Sequence, residues 1–247
     1  MIALSIDTSS NICGVAILTD KHLIKEINLD NGLTHSESLM PTIDKLFKEI
    51  DLNITDIDLI ICDKGPGSFT GIRIGVSTAK AFSDSLYIPT CGISSLEALA
   101  YNIEADGLIC SLIDAKNSNC YCGIYEKSND NYTLLKPLVA DYIDNILDSL
   151  VEFSQPITFV GNGATVNKDK IMSAFSNCIF GDNNDLSAYK LGLAGLKAYS
   201  SGNYENVMPL YLRKSQAERM IEKSVKKRSL GNFLAVASLM RTDKWYI

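Results

Sequence analysis

Asp7 and Asp114 each close a short apolar run and open a polar turn, reading IDTSSN in one case and IDAKNSN in the other. A carboxylate at the end of a strand can hold a hydrated divalent cation, and turn amides beside it can cradle phosphate. That chemistry would be an ATP-dependent kinase or ATPase working with Asp7, Asp114 and magnesium. Gly161 and Gly163, around Asn162, join the same cofactor-binding candidates. The turns themselves are poor in glycine, which normally gives a ligand room to reach the backbone. Asp7 is followed by Thr-Ser-Ser and Asp114 by Ala-Lys-Asn, so side chains fill the space where phosphates would sit.

Other chemistries lack their residues. The two histidines are His22 and His35, with no HExxH pair for zinc and no G-x-S-x-G nucleophile elbow. GPGSFTGIRIG at 65–75 is not a phosphate-binding Walker loop, since Ile-Arg follows Gly71 where Lys and Ser/Thr are required. The seven cysteines are scattered through apolar runs, which reads as reduced thiols in a cytoplasmic protein. Cys120 and Cys122 read as small buried hydrophobes on one strand. No catalytic residue and no metal site is expected.

The elements that must position these groups repeat. SIDTSSNICGVAI at 5–17 aligns without gaps to LIDAKNSNCYCGI at 112–124, a constant offset of 107. Each copy reads as strand, polar turn, strand, with a third strand following. Thr34 and Glu37 fit a capping box, and Leu39, Ile43, Leu46, Phe47 and Ile50 form a helical stripe that Pro41 should kink or restart. A strand at 57–62, a helix from about 70 to 86, a strand at 88–92 and a helix opening at Ser94 complete the first half. The second half supplies strands at 132–139 and 157–161 and helices near 140–151 and 186–199. The pattern predicts two α/β subdomains, 1–106 and 107–218, related by internal duplication and meeting at a cleft. It resembles the plan of the actin, Hsp70 and sugar-kinase group.

The helix opened by the glycine stretch carries Arg73, Ser77, Lys80 and Asp84 on one narrow stripe. Its apolar or small arc spans roughly 200°, against the roughly 100° a surface helix needs for its own core. Gly71, Gly75, Ala79 and Ser83 make a ridge of small residues along which another helix could pack. This reads as a docking face, and Gly75→Leu is then expected to abolish partner binding while leaving the monomer folded.

GPGSFTGIRIG at 65–75, IDTS at 6–9, HSESLMPTI at 35–43, IDA at 113–115 and PLYLR at 209–213 together resemble the TsaB (YeaZ) family, over residues 1 to about 218. The resemblance implies a degenerate actin-like ATPase (ASKHA-type) α/β fold of two subdomains, each a mixed sheet with helices. It implies a non-catalytic subunit in bacterial synthesis of N6-threonylcarbamoyladenosine in tRNA. The helices after HSE and GSFTG would form the face for homodimers and for the catalytic subunit TsaD, and the ATPase TsaE would join them. His35, Leu39, Ile43, Gly71, Ile74, Gly75, Thr78 and Phe82 fall on that face. ATP and magnesium would serve the complex rather than this chain, and tRNA would be reached through the complex. The chain departs from the family at Lys116, where Arg is usual, and at Asn119-Cys120, where Glu-Val is usual.

Composition fits this reading: 46% of the residues are hydrophobic, 21% are charged, and the net charge is −6. The first residues have no basic segment, Asp7 interrupts their apolar run, and no stretch reaches the ~20 apolar residues of a membrane span. Charge is uneven. Residues 213–247 carry nine Lys/Arg against three Asp/Glu, leaving fourteen against twenty-six for residues 1–212. Within 219–247, Leu230, Phe233, Leu234, Ala237 and Met240 could line a short amphipathic helix.

Overall fold

A computed structural model describes residues 1–20, 22–30 and 32–213; the expected amphipathic helix in 219–247 lies outside them. Strand β1 (Ile2–Asp7) is covered on both faces, so its side chains are almost all buried rather than alternating in and out. It pairs antiparallel with β2 (Cys13–Thr19) and parallel with β4 (Leu59–Asp63). With β3 (Leu23–Leu29) and β5 (Thr90–Ile93) the order is β3-β2-β1-β4-β5. The second sheet is built from β6 (Gly107–Asp114), β7 (Asn119–Ser128), β8 (Asn131–Tyr142), β9 (Ile157–Val160) and β10 (Cys178–Phe180), in the order β8-β7-β6-β9-β10. The plan is therefore the same in both halves: an antiparallel three-strand meander, then two strands added in parallel.

Helices α1 (His35–Ile50) and α2 (Phe69–Leu86) cover the outer face of the first sheet. In α1 the Thr34 amide donates to Glu37 Oε2 (3.1 Å) and the Thr34 hydroxyl donates to the same oxygen (2.6 Å). Thr34→Ala is therefore expected to cost about 1 kcal/mol, read as a lower urea midpoint with an unchanged m-value. Pro41 does not restart the helix. It lies on the exposed face, so the Glu37 carbonyl left without an amide partner can be solvated. On the second sheet, α4 (Ile143–Leu150), α5 (Asn162–Val166) and α6 (Lys168–Ala174) play the outer role, over a core centred on the fully buried Phe159.

Between the sheets lie α3 (Ser95–Ala100) and α7 (Ala188–Ser200). Ala98 packs with the first sheet, whereas Leu96 and Leu99 pack with Ile109, Tyr125 and Val160 of the second. Although α7 falls within 107–218, it packs on the first sheet. A Cβ on Gly192 would meet Leu18 at 2.6 Å, and one on Gly195 would meet Ile61 at 2.4 Å, so both glycines allow close helix–sheet approach. The chain then returns along β5, with the Gly92 amide donating to Glu205 O (2.9 Å) and the Leu210 amide to Lys64 O (2.7 Å).

The constant offset of 107 does not survive into space. Leu4 and Ile6 face the outer helices of the first sheet, and Cys110 and Leu112 face those of the second. Ile113, which the gapless match sets against Ile6, packs instead on the α3 side. Side chains alternate with period two, so this odd shift puts Asp7 and Asp114 on opposite faces of their sheets. All seven cysteines are free thiols, and Cys120 and Cys122 are buried. No helix among the described residues is long and apolar enough to cross a membrane.

Candidate functional site

The turn after β1 and the turn after β6 face each other across a cleft of about 410 Å³, walled by Ser9–Asn11, Pro66–Ser68 and Ile113–Lys116 and closed by Asn162 and Asn184–Leu186. Asp7 does not reach it. Its side chain is 1% exposed, and its Oδ1 accepts from the Ser9 amide (2.8 Å) and the Ser9 hydroxyl (2.8 Å). The same hydroxyl lies 2.9 Å from Oδ2 of Asp63, a second buried acid at the end of β4. Asp63 Oδ1 accepts from the Gly65 amide (2.6 Å) and the Ser95 hydroxyl (2.7 Å). Burial pushes both acids above the ordinary carboxylate range, and the charge of Asp7 pushes Asp63 further. One serine proton cannot serve two carboxylates, so one of the two acids must hold a proton of its own.

Asp114 does reach the cleft, but the chain occupies it. Lys116 Nζ sits 2.8 Å from Oδ2 and the Lys116 amide donates to Oδ1 (2.9 Å), while Asn162 Oδ1 accepts from the Asp114 amide. Lys116, Asn117 and Ser118 all have positive φ, of 64°, 55° and 59°. Three successive non-glycine residues in the left-handed region are strained, and side chains stand where a ligand would approach the backbone. Gly161 (φ 99°) and Gly163 are glycines for packing: a Cβ on either would fall within 3 Å of Leu112 backbone. These residues do not fit a magnesium–nucleotide: one acid is buried and shares a proton network, and the other is paired with lysine. Among the described residues no cluster of three His, Cys, Asp or Glu could hold a metal.

His35 opens α1 and props the first turn. Its Nε2 donates to Ser10 O (2.7 Å), because a carbonyl can only accept, and its Nδ1 is buried without a partner. Gly71 and Gly75 face the same turn. A Cβ on Gly71 would lie 1.9 Å from Thr8 O, and one on Gly75 would lie 2.4 Å from Thr8 Oγ1. The Thr8 hydroxyl in turn donates to Gly71 O (2.8 Å). At Gly71 and Gly75 the small-residue ridge is therefore filled by the β1–β2 turn of the same chain rather than left as a groove for a partner. Leu39 and Ile43 are buried in the core under α1 as well. Ile74, Thr78, Phe82 and His35 remain half-buried, and Met40 of α1 is 50% exposed.

Ser9, Asp63 and Ser95 carry little signal in the sequence. The signal available was an acid at the end of β4, matching the acid at the end of β1 in the neighbouring strand.

A duplicated β3-β2-β1-β4-β5 sheet with helices outside and between defines the actin-like ATPase (ASKHA-type) fold. A solved YeaZ structure from Pseudomonas aeruginosa shares that fold, with a TM-score of 0.75 at 22% identity over 85% of this chain and 99% of its own. A family model described as TsaD, tRNA N6-adenosine threonylcarbamoyltransferase, matches residues 32–220. The tRNA threonylcarbamoyladenosine biosynthesis protein TsaB of Bacillus subtilis is 33% identical over 88% of this chain and 96% of its own length. The Buchnera aphidicola protein of the same name is 32% identical over 66% and 79%. The chain belongs to the TsaB (YeaZ) family.

Proposed function

We propose that the chain is a non-catalytic subunit in synthesis of N6-threonylcarbamoyladenosine in tRNA, binding and organising a TsaD-type threonylcarbamoyl transferase. The pathway follows from relatives named for threonylcarbamoyladenosine biosynthesis. The observation that carries the binding role is the α1–α2 surface, where Met40, Ile74 and Phe82 are incompletely covered by their own chain. That surface would serve a homodimer in isolation and the TsaD-type subunit in the complex, with a TsaE-type ATPase joining it. ATP and magnesium then belong to the assembly, in keeping with the engaged state of Asp7 and Asp114 here. The protein would work in the cytoplasm, where its tRNA is.

Met40→Glu and Thr78→Arg test the surface without touching the glycine packing. Each is expected to weaken association with the TsaD homologue of the same organism at least about tenfold, as a desolvated charge at an interface centre would. Sedimentation velocity reads the loss, and unchanged thermal melts show that the fold is intact. Wild-type affinity in both variants would move the interface elsewhere. If Mg–ATP raised the melting temperature of the chain alone, the kinase or ATPase reading would return, because a ligand of the native state must stabilise it.

A further inference from the structure

The three long helices do not end alike. Helix α1 carries Lys48 in its last turn, and the amide of Asp51, left-handed at φ 54°, bonds back to Phe47 O. Helix α7 carries Lys197 there, and the Ser201 amide donates to Lys197 O (3.1 Å). Both ends thus meet the negative pole of the helix with a cation and close one free carbonyl with a capping bond. Helix α2 has neither. Its last turn holds Asp84 and no basic residue, and the Tyr87 amide makes no capping bond among the described residues.

Lys80 stands four residues before Asp84, the spacing at which Asp44 and Lys48 of α1 pair at 2.6 Å. In α2 the acid follows the base, which is the weaker arrangement. Lys80 Nζ reaches the Met208 sulfur instead (3.1 Å), and the exposed Asp84 carboxylate has no ion pair among the described residues. Tyr87 closes the helix at φ 57° and ψ 33°, a left-handed position that favours glycine, with its side chain 93% exposed. An acid at a helix C-terminus, a left-handed residue other than glycine and a bare aromatic ring are each locally unfavourable. The three meet at one open hollow of about 440 Å³, lined by Ser83, Asp84, Tyr87, Ile88 and Pro89. Local rules broken together, in a fold that otherwise keeps them, mark a functional site.

One chemical group answers all three. A guanidinium can donate to the last-turn carbonyls, pair with a carboxylate and stack on a tyrosine ring. A phosphate or a carboxylate would be repelled by Asp84 and by the helix end alike. The acidic body, fourteen Lys/Arg against twenty-six Asp/Glu over residues 1–212, also draws a basic partner toward it at long range. We propose that the C-terminal end of α2 is a docking point for an arginine side chain of the TsaD-type subunit, with Asp84 pairing it and Tyr87 stacking on it. This rests on the subunit reading above and extends the α1–α2 surface by one charged anchor.

Sedimentation velocity of the full-length protein with the TsaD homologue of the same organism tests this. Tyr87→Gly is expected to weaken association about tenfold and Asp84→Asn about threefold. Tyr87→Phe keeps the ring and should stay within about twofold of wild type. The wild-type affinity should fall as salt rises, and less steeply in Asp84→Asn. In the chain alone, Tyr87→Gly and Asp84→Asn should both raise the urea midpoint, the first by relieving the left-handed position and the second by removing an acid from the helix end. A purely structural role for these residues would lower it. Wild-type affinity in both variants, or a lowered midpoint in both, overturns the proposal. If Met40→Glu weakens association and these two variants do not, only the docking point falls. If the two wild-type proteins do not associate at all, the subunit reading falls and the docking point with it.

Discussion

Gly71→Ala is expected to destabilise the monomer by about 3 kcal/mol or more, although it adds a single methyl group and a better helix former. The new Cβ would sit 1.9 Å from the Thr8 carbonyl oxygen and 3.1 Å from His35 Cδ2. Neither neighbour can step aside. Thr8 is fixed by its own hydrogen bond to Gly71 O and by the adjoining Ser9 network, and His35 is tied to Ser10 O. Either α2 must slide off β1 and β4, opening the core at Ile72 and Val76, or the turn must break its buried hydrogen bonds. Urea denaturation should place the midpoint far below that of Ser77→Ala, an exposed change on the same helix that should stay within about 0.5 kcal/mol of wild type. A loss under about 1 kcal/mol would mean that α2 can move and that the close approach is not structural. Gly75→Leu fails as an interface probe on the same grounds, since its Cβ would lie 2.4 Å from Thr8 Oγ1.

That pair of glycines shows where sequence reasoning stops. A ridge of small residues reports that something approaches closely, but it cannot say whether the approaching backbone is the chain's own. The three-strand opening of each half, the capping residues Thr34 and Ser94 and the limits of α1, α2 and α7 were legible to within a residue or two, because period and punctuation are local properties. The short elements α5, α6 and β10 were missed, having too few residues to show a period. The gapless repeat misplaced Asp114 relative to Asp7, since identical letters do not fix the face of a strand and one residue of slip reverses it. Placement of α7 on the first sheet is likewise invisible locally: its glycines fit Leu18 and Ile61, more than a hundred residues earlier. The cleft was foreseen as the meeting place of two turns. Its chemistry was not, because the partner that decides the state of Asp7 is Asp63, which lies on another strand.

Asp63→Asn should stabilise the protein at pH 8 by about 1–3 kcal/mol, the cost of leaving a buried polar group unsatisfied, and should flatten its pH dependence. Asp7 and Asp63 are both buried, share the one Ser9 proton, and are raised above the ordinary carboxylate value by desolvation. Hydrogen bonds with Ser9 and Asp63 and the nearby His35 pull Asp7 down but only partly offset its burial, while burial first and then the acid charges push up the neighbouring thiols Cys13 and Cys62. A raised native value means that the folded chain holds a proton which the unfolded chain has already released above about pH 4. Stability from this pair is therefore fully present below the unfolded value and is lost as pH rises through the folded one. In the asparagine variant, Oδ1 keeps the Gly65 amide and the Ser95 hydroxyl, and Nδ2 can donate to Ser9 Oγ. Ser9 then gives its proton to Asp7 without competition, and no acid in the pair needs to be neutral. Urea midpoints of wild type and variant, compared from pH 5 to pH 8, should diverge as pH rises. Parallel curves would show that the two acids do not share a proton, and a variant less stable at every pH would show that the second carboxylate oxygen of Asp63 is needed as an acceptor.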